Sequence, residues 1–164
     1  MNAPTIHASC IILANAGAPF GAAPDAGVLL LGESGSGKSD LVLRLIGRGA
    51  ILVADDRTEL YADDDKLMAR CPAALAGLIE VRGLGIVALP HAAQAHIVLV
   101  ADLGPHDAIS RLPDRESFEP PGLSLPLANR PPHLRLNGLE ASAPDKIVLA
   151  AAAFTNNLLR HGHI

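Results

Sequence analysis

Residues 28–46 read VLLLGESGSGKSDLVLRLI, and no other stretch limits the possible folds of this chain as strongly. The fixed positions Gly32-x-x-x-x-Gly37-Lys38-Ser39 form a phosphate-binding loop pattern, which requires a strand before it and a helix after it. Both are written in the flanks. Val28–Leu31 is an apolar run of strand length, and Leu41, Val42, Leu45 and Ile46 recur at helical spacing before the stop signals Gly47 and Gly49. Glycines let backbone N–H groups converge on phosphate oxygens, and the helix turns its positive dipole end toward the same point. The loop from Gly32 through Glu33, Ser34, Gly35, Ser36 and Gly37 is therefore expected to cradle a nucleotide. Lys38 is expected to reach its terminal phosphates, and Ser39 to offer a hydroxyl to Mg²⁺.

The rest of the chain reads as an α/β domain. Ala8–Ala14 forms a strand ahead of Val28–Leu31, with the Gly-, Ala- and Pro-rich stretch Asn15–Gly27 as a flexible connection. Ala50–Ala54 is a strand ending in Asp55-Asp56. Thr58–Tyr61 and Leu67–Ala69 flank a hairpin whose acids Asp63, Asp64 and Asp65 form a solvated turn. Leu78–Val81 and Ile86–Leu89 bracket Arg82-Gly83-Leu84-Gly85, and Ile97–Ala101 reads as a buried strand. Prolines crowd Pro105–Pro132, which predicts loops and extended segments, and Pro144–His161 has the periodicity of a closing helix. A chain of 164 residues that is 49% hydrophobic can bury one core, so residues 1–164 are expected to form one domain.

Charge and cysteine usage narrow the partners. The net charge is −4 and the 13 Lys and Arg are scattered, which argues against nucleic acid. No run approaches the roughly 20 apolar residues of a membrane span, and the first residues lack the basic start of a signal peptide. Cys10 and Cys71 have no CxxC spacing and read as apolar thiols in a reducing cytoplasm. His91, His96, His106, His133, His161 and His163 show no metal-ligand spacing.

The chemistry is expected beside the loop. Asp55 and Asp56 end the strand that follows the loop helix, where a carboxylate can hold Mg²⁺ or accept the proton of an attacking hydroxyl. Of the two, Asp55 is the favoured base. Glu80 and Arg82 bring a second acid and a guanidinium just ahead of a flexible glycine pair.

Together, GESGSGKSDLVLRLIGRGAILVADDR and LIEVRGLGIV resemble the C-terminal catalytic domain of the bacterial HPr kinase/phosphorylase family, in its short form without the usual N-terminal domain. The resemblance runs over about Ile6–Val87. It implies an α/β fold: a single P-loop domain of the HPr kinase, phosphoenolpyruvate carboxykinase-like type, with a central mixed sheet and few helices. It further implies a serine kinase, also a phosphorylase, acting on HPr or a related phosphocarrier of the bacterial phosphotransferase system. ATP would sit on the loop and Lys38, with Mg²⁺ on Ser39 and Glu80. Asp55 or Asp56 would be the acid/base, with His7 of IHASCII and Arg111 of ISRLP as further active-site residues. A cytoplasmic homo-oligomer, a hexamer in the family, is the implied assembly. Proline replaces the family's glycine after Arg111-Leu112, Asn15–Gly27 is longer than the family pattern, and Pro131–Ala143 has no clear counterpart of the segment linked to dephosphorylation. Two other readings use the same loop: a small-molecule P-loop kinase, and a regulatory module that senses ATP without transferring phosphate.

Overall fold

A computed structural model describes residues 3–160. In chain order it contains β1 (Thr5–Ile12), β2 (Ala26–Leu31), α1 (Lys38–Gly47), β3 (Ile51–Ala54), β4 (Arg57–Asp63), β5 (Lys66–Arg70), β6 (Leu78–Val81), β7 (Gly85–Ala88), β8 (Gln94–Leu103), β9 (Glu116–Ser117), β10 (Pro132–Leu136) and α2 (Ala143–Thr155). This is the expected mixed α/β fold with few helices.

Among the described residues the main sheet has eight strands, paired in the order β2-β1-β4-β5-β8-β10-β9, with β3 beside β1. Because β2 also pairs with β8, the path from β2 through β1, β4 and β5 to β8 closes on itself. The strand β2 is central to this closure and is apolar on both faces. Val28 and Leu30 point into one cluster with Leu41, Leu45, Leu99 and Ile147, while Leu29 points into a second with Leu60, Leu67 and Val100. Burial on both faces is why the strand reads as an unbroken leucine run rather than an alternating one.

The directions of the strands decide where the site lies. Both β2 and β3 run antiparallel to β1, so they run parallel to each other on either side of it. Their carboxyl ends therefore share one edge of the sheet with the amino end of β1. The parallel strands β8 and β10 bring their carboxyl ends to that edge as well.

Two expectations are revised by the structure. Asn15–Gly27 is not a flexible connection: Ala14–Phe20 forms a 3₁₀ helix against α2, with Ala16 and Gly17 buried. Gly17 also lets the segment fold tightly on itself, since a Cβ there would stand 2.9 Å from that of Ala22. The proline-rich segment is loops and short extended pieces as expected, and β10 follows at its end, pairing with β9 at Pro132 and with β8 from His133 onward. The closing helix stops at Thr155, and Asn157 takes a left-handed φ of 53°. His161 and His163 lie outside the described residues.

Other expectations hold. The turn at Asp64 and Asp65 has positive φ at both residues, as a two-residue hairpin needs, and its acids are exposed. The hairpin β6–β7 stands as a separate two-stranded sheet. Cys10 and Cys71 are both free, and Cys10 is fully buried. Among the described residues no helix is long and apolar enough to cross a membrane.

Candidate active site

The loop after β2 follows from its glycines. Gly32, Gly35 and Gly37 take φ of +145°, +84° and +94°, a region that strains any residue with a Cβ. At Gly32 a Cβ would also lie 2.4 Å from Ser36 Oγ and 3.0 Å from the Leu103 carbonyl. The bare glycine thus lets the loop pack closely on Ser36 and on the end of β8. Ser36 Oγ is buried there without a hydrogen-bond partner, an orphaned donor that an anionic ligand would satisfy.

Lys38 opens α1 and is 5% exposed. Its ammonium donates to the carbonyls of Gly32 at 2.7 Å and Glu33 at 3.1 Å, folding the lysine back over the loop. Burial pulls its pKa below the ordinary lysine value, against the opposing pull of Asp56 and Asp55. Glu33 and Ser34 are exposed.

Asp55 and Asp56 are neighbours in sequence but not in environment. Asp55 is buried. Its Oδ1 accepts hydrogen bonds from Ser39 Oγ at 2.8 Å and Ser9 Oγ at 3.0 Å, and its Oδ2 accepts from the Glu80 backbone N–H at 3.2 Å. One carboxylate therefore ties the loop helix, β1 and β6 together. Asp56 turns outward through a left-handed φ of 63°, and its own N–H donates to Ser9 Oγ at 3.1 Å. The exposed Asp56 carboxylate meets His7 Nδ1 at 3.0 Å.

Of the residues expected to act, His7, Ser34, Gly35, Gly37, Lys38, Ser39, Asp55, Asp56 and Glu80 line one cleft of about 510 Å³, together with Arg82. A second hollow of about 210 Å³ is lined by Thr5, Ile6 and Arg57 and by the same His7 and Asp56. The His7–Asp56 pair thus belongs to both spaces. Arg111 is exposed in the segment after β8 and is not among the cleft's lining residues.

Two further contributors escape local sequence reasoning. Ser9 is fully buried and bonds both aspartates, one by side chain and one by backbone; a polar residue inside an apolar strand run is the signal it leaves. Arg44, one turn after Asp40 on α1, donates to the carbonyls of Gly138 and Glu140, and nothing in the sequence marks that reach.

Residues 22–99 match the family described as HPr Serine kinase C-terminal domain. An HPr kinase/phosphorylase of Geobacillus thermodenitrificans is 42% identical over 95 residues, which span 57% of this chain and 29% of that protein. One from Chromobacterium violaceum is 55% identical over 62 residues, 37% of this chain and 20% of the relative. The matched region is therefore less than a third of these relatives' length. The solved structure of the Hpr(Ser) kinase/phosphatase from Coxiella burnetii superposes with a TM-score of 0.69 at 23% identity, covering 94% of this chain and 90% of that one. The chain thus carries the resemblance read from its residues, to the HPr kinase/phosphorylase C-terminal domain, in sequence over residues 22–99 and in fold over nearly its whole length.

Proposed function

We propose that this chain is an ATP- and magnesium-dependent serine kinase acting on HPr or a related phosphocarrier. The observation that carries the reading is the bond from the phosphate-loop hydroxyl of Ser39 to Asp55, next to an outward-facing Asp56–His7 pair that borders two hollows. The reading takes residues 1–164 as one catalytic domain of the P-loop, phosphoenolpyruvate carboxykinase-like type. It is a cytoplasmic enzyme that assembles as a homo-oligomer.

The residues fit the two groups this activity needs. The orphaned Ser36 hydroxyl, the open backbone at Gly35 and the buried ammonium of Lys38 suit a polyphosphate. Magnesium takes oxygen ligands and is commonly held by one or two carboxylates together with phosphates; Ser39, with Asp55 behind it and Glu80 on the facing wall, would hold it. Bound ATP supplies the transferable phosphoryl group, and Mg²⁺ offsets its charge.

The protein's own part is positioning and proton transfer. Asp55 has three donors on its two oxygens, so it fixes the Ser39 hydroxyl and the β6 backbone rather than meeting an acceptor. Asp56 is exposed where both hollows meet, and it takes the proton of the incoming serine hydroxyl while His7 orients its carboxylate. This exchanges the roles that sequence position alone favours. Arg57, exposed in the second hollow, faces the acceptor side.

Transfer of labelled phosphate from ATP to a serine of purified HPr tests the reading; ATP binding without transfer returns the chain to the sensing module. A metal-specific expectation accompanies it. Glu80→Gln should raise the Mg²⁺ concentration needed for half-maximal transfer, because an amide attracts the ion far less than a carboxylate does. An unchanged Mg²⁺ titration would remove Glu80 from the metal site and leave it only its backbone bond to Asp55.

A further inference from the structure

The cleft has two chemically different parts. Around Lys38, Ser39, Asp55 and Asp56 it is polar and charged, while the apolar side chains among its lining residues are Leu43, Val81 and Leu139. Val81 is half-buried and packs against the core, but Leu43 is 41% exposed and Leu139 is 67% exposed. Both stand by the first turns of α1. Leu43 lies one turn beyond Ser39, and Leu139 sits over Gly37, where an added Cβ would come within 2.8 Å of Leu139 Cδ2.

Leu139 is exposed yet firmly held. Its backbone N–H donates to Asn137 Oδ1 at 3.0 Å, and the carbonyls on either side of it, of Gly138 and Glu140, both accept from Arg44 of α1. The Glu140 side chain is bonded in turn to Lys146 and His106. A fixed turn that presents a leucine to solvent, clamped to the helix that carries the phosphate loop, has the form of a ligand wall. Ligand sites commonly join apolar contact area to a few polar anchors.

We infer that Leu139 and Leu43 form the nucleoside side of the cleft, with Arg44 as the positioning residue that sets Leu139 at the right height above the loop. The inference rests on the phosphotransfer reading. In that reading the terminal phosphate lies by Lys38 and Asp56, so the nucleoside emerges past the helix start, where these two leucines are the exposed apolar surface. Their contact is with the flat face of the base and the sugar, not with the phosphates.

The test compares Mg-ATP with inorganic tripolyphosphate, which lacks a nucleoside, by calorimetric titration of wild type, Leu139→Ser and Leu43→Ser. Each substitution should weaken ATP about three- to tenfold, as expected for losing part of one leucine's apolar contact, and should leave tripolyphosphate affinity unchanged. Retained tripolyphosphate binding also reports an intact loop. Arg44→Met should act like Leu139→Ser, and Arg44→Lys should recover part of the ATP affinity. Equal loss of both ligands would make these residues loop supports, and no loss of either would make the leucines bystanders; either result overturns the inference. A wild-type protein that binds neither ligand would overturn the phosphotransfer reading itself, and this inference with it.

Discussion

Lys38→Ala is expected to abolish detectable phosphate transfer, a fall of about 10²- to 10³-fold at the least from removing one charged donor aimed at developing negative charge in a water-poor site. The size of the effect follows from where the ammonium sits. It is 5% exposed, so the charge it offers a phosphate is little screened by water. The lysine also has a structural duty that the sequence pattern does not advertise, since it donates to the Gly32 and Glu33 carbonyls. Losing those bonds should cost about 1–3 kcal/mol and loosen the loop, while the two apolar clusters that hold the sheet are untouched. Circular dichroism should therefore give a native spectrum with a lowered melting midpoint, beside a transfer assay at background. Transfer at near wild-type rate would contradict the assignment of the loop.

The aspartates should separate by signature. Asp56→Asn is expected to lower turnover about 10²- to 10⁴-fold, the usual worth of a positioned proton acceptor, with ATP affinity and Mg²⁺ dependence little changed. Asparagine suits the left-handed backbone at this position, so the substitution tests the carboxylate and not the turn. Asp55→Asn should behave differently. An amide there places a donor against Ser9 and Ser39 or against the Glu80 N–H, leaving a buried group unpaired at about 1–3 kcal/mol and disturbing three elements at once. Mg²⁺ affinity and thermal stability should fall first, and rate with them. Transfer rates and Mg²⁺ titrations on both variants decide the matter; the reverse pattern would give the base role back to Asp55.

These roles mark where sequence legibility ends. The glycine-rich turn between strand and helix could be read because its requirements are local: glycines at positive φ, a strand before and a helix after, all within residues 28–46. The buried strands could be read because apolar faces on both sides leave continuous runs. Strand β10 could not, since Pro131 and Pro132 read as breakers, whereas the strand begins at Pro132 and needs no ladder donor there. Ala14–Phe20 looked mobile because small residues are common in loops, yet here they allow close packing on α2.

The site was legible as a set of residues but not as an arrangement. Asp55 and Asp56 are indistinguishable by position, and only the turn at Asp56 sends one inward and the other outward. The bonds that define them join residues 46 and 47 positions apart, and Arg44 reaches carbonyls 94 and 96 positions away. Contacts of that range are fixed by strand order, which no local pattern encodes. Arg111 illustrates the converse, a residue placed by resemblance alone that stays outside the cleft lining.

The most direct test of the central claim is mass spectrometry of purified HPr after incubation with this chain and Mg-ATP. The account predicts that HPr gains one phosphoryl group on a serine, that the gain requires Mg²⁺, and that it disappears with Lys38→Ala. HPr that stays unmodified while calorimetry shows ATP bound to the chain would contradict it.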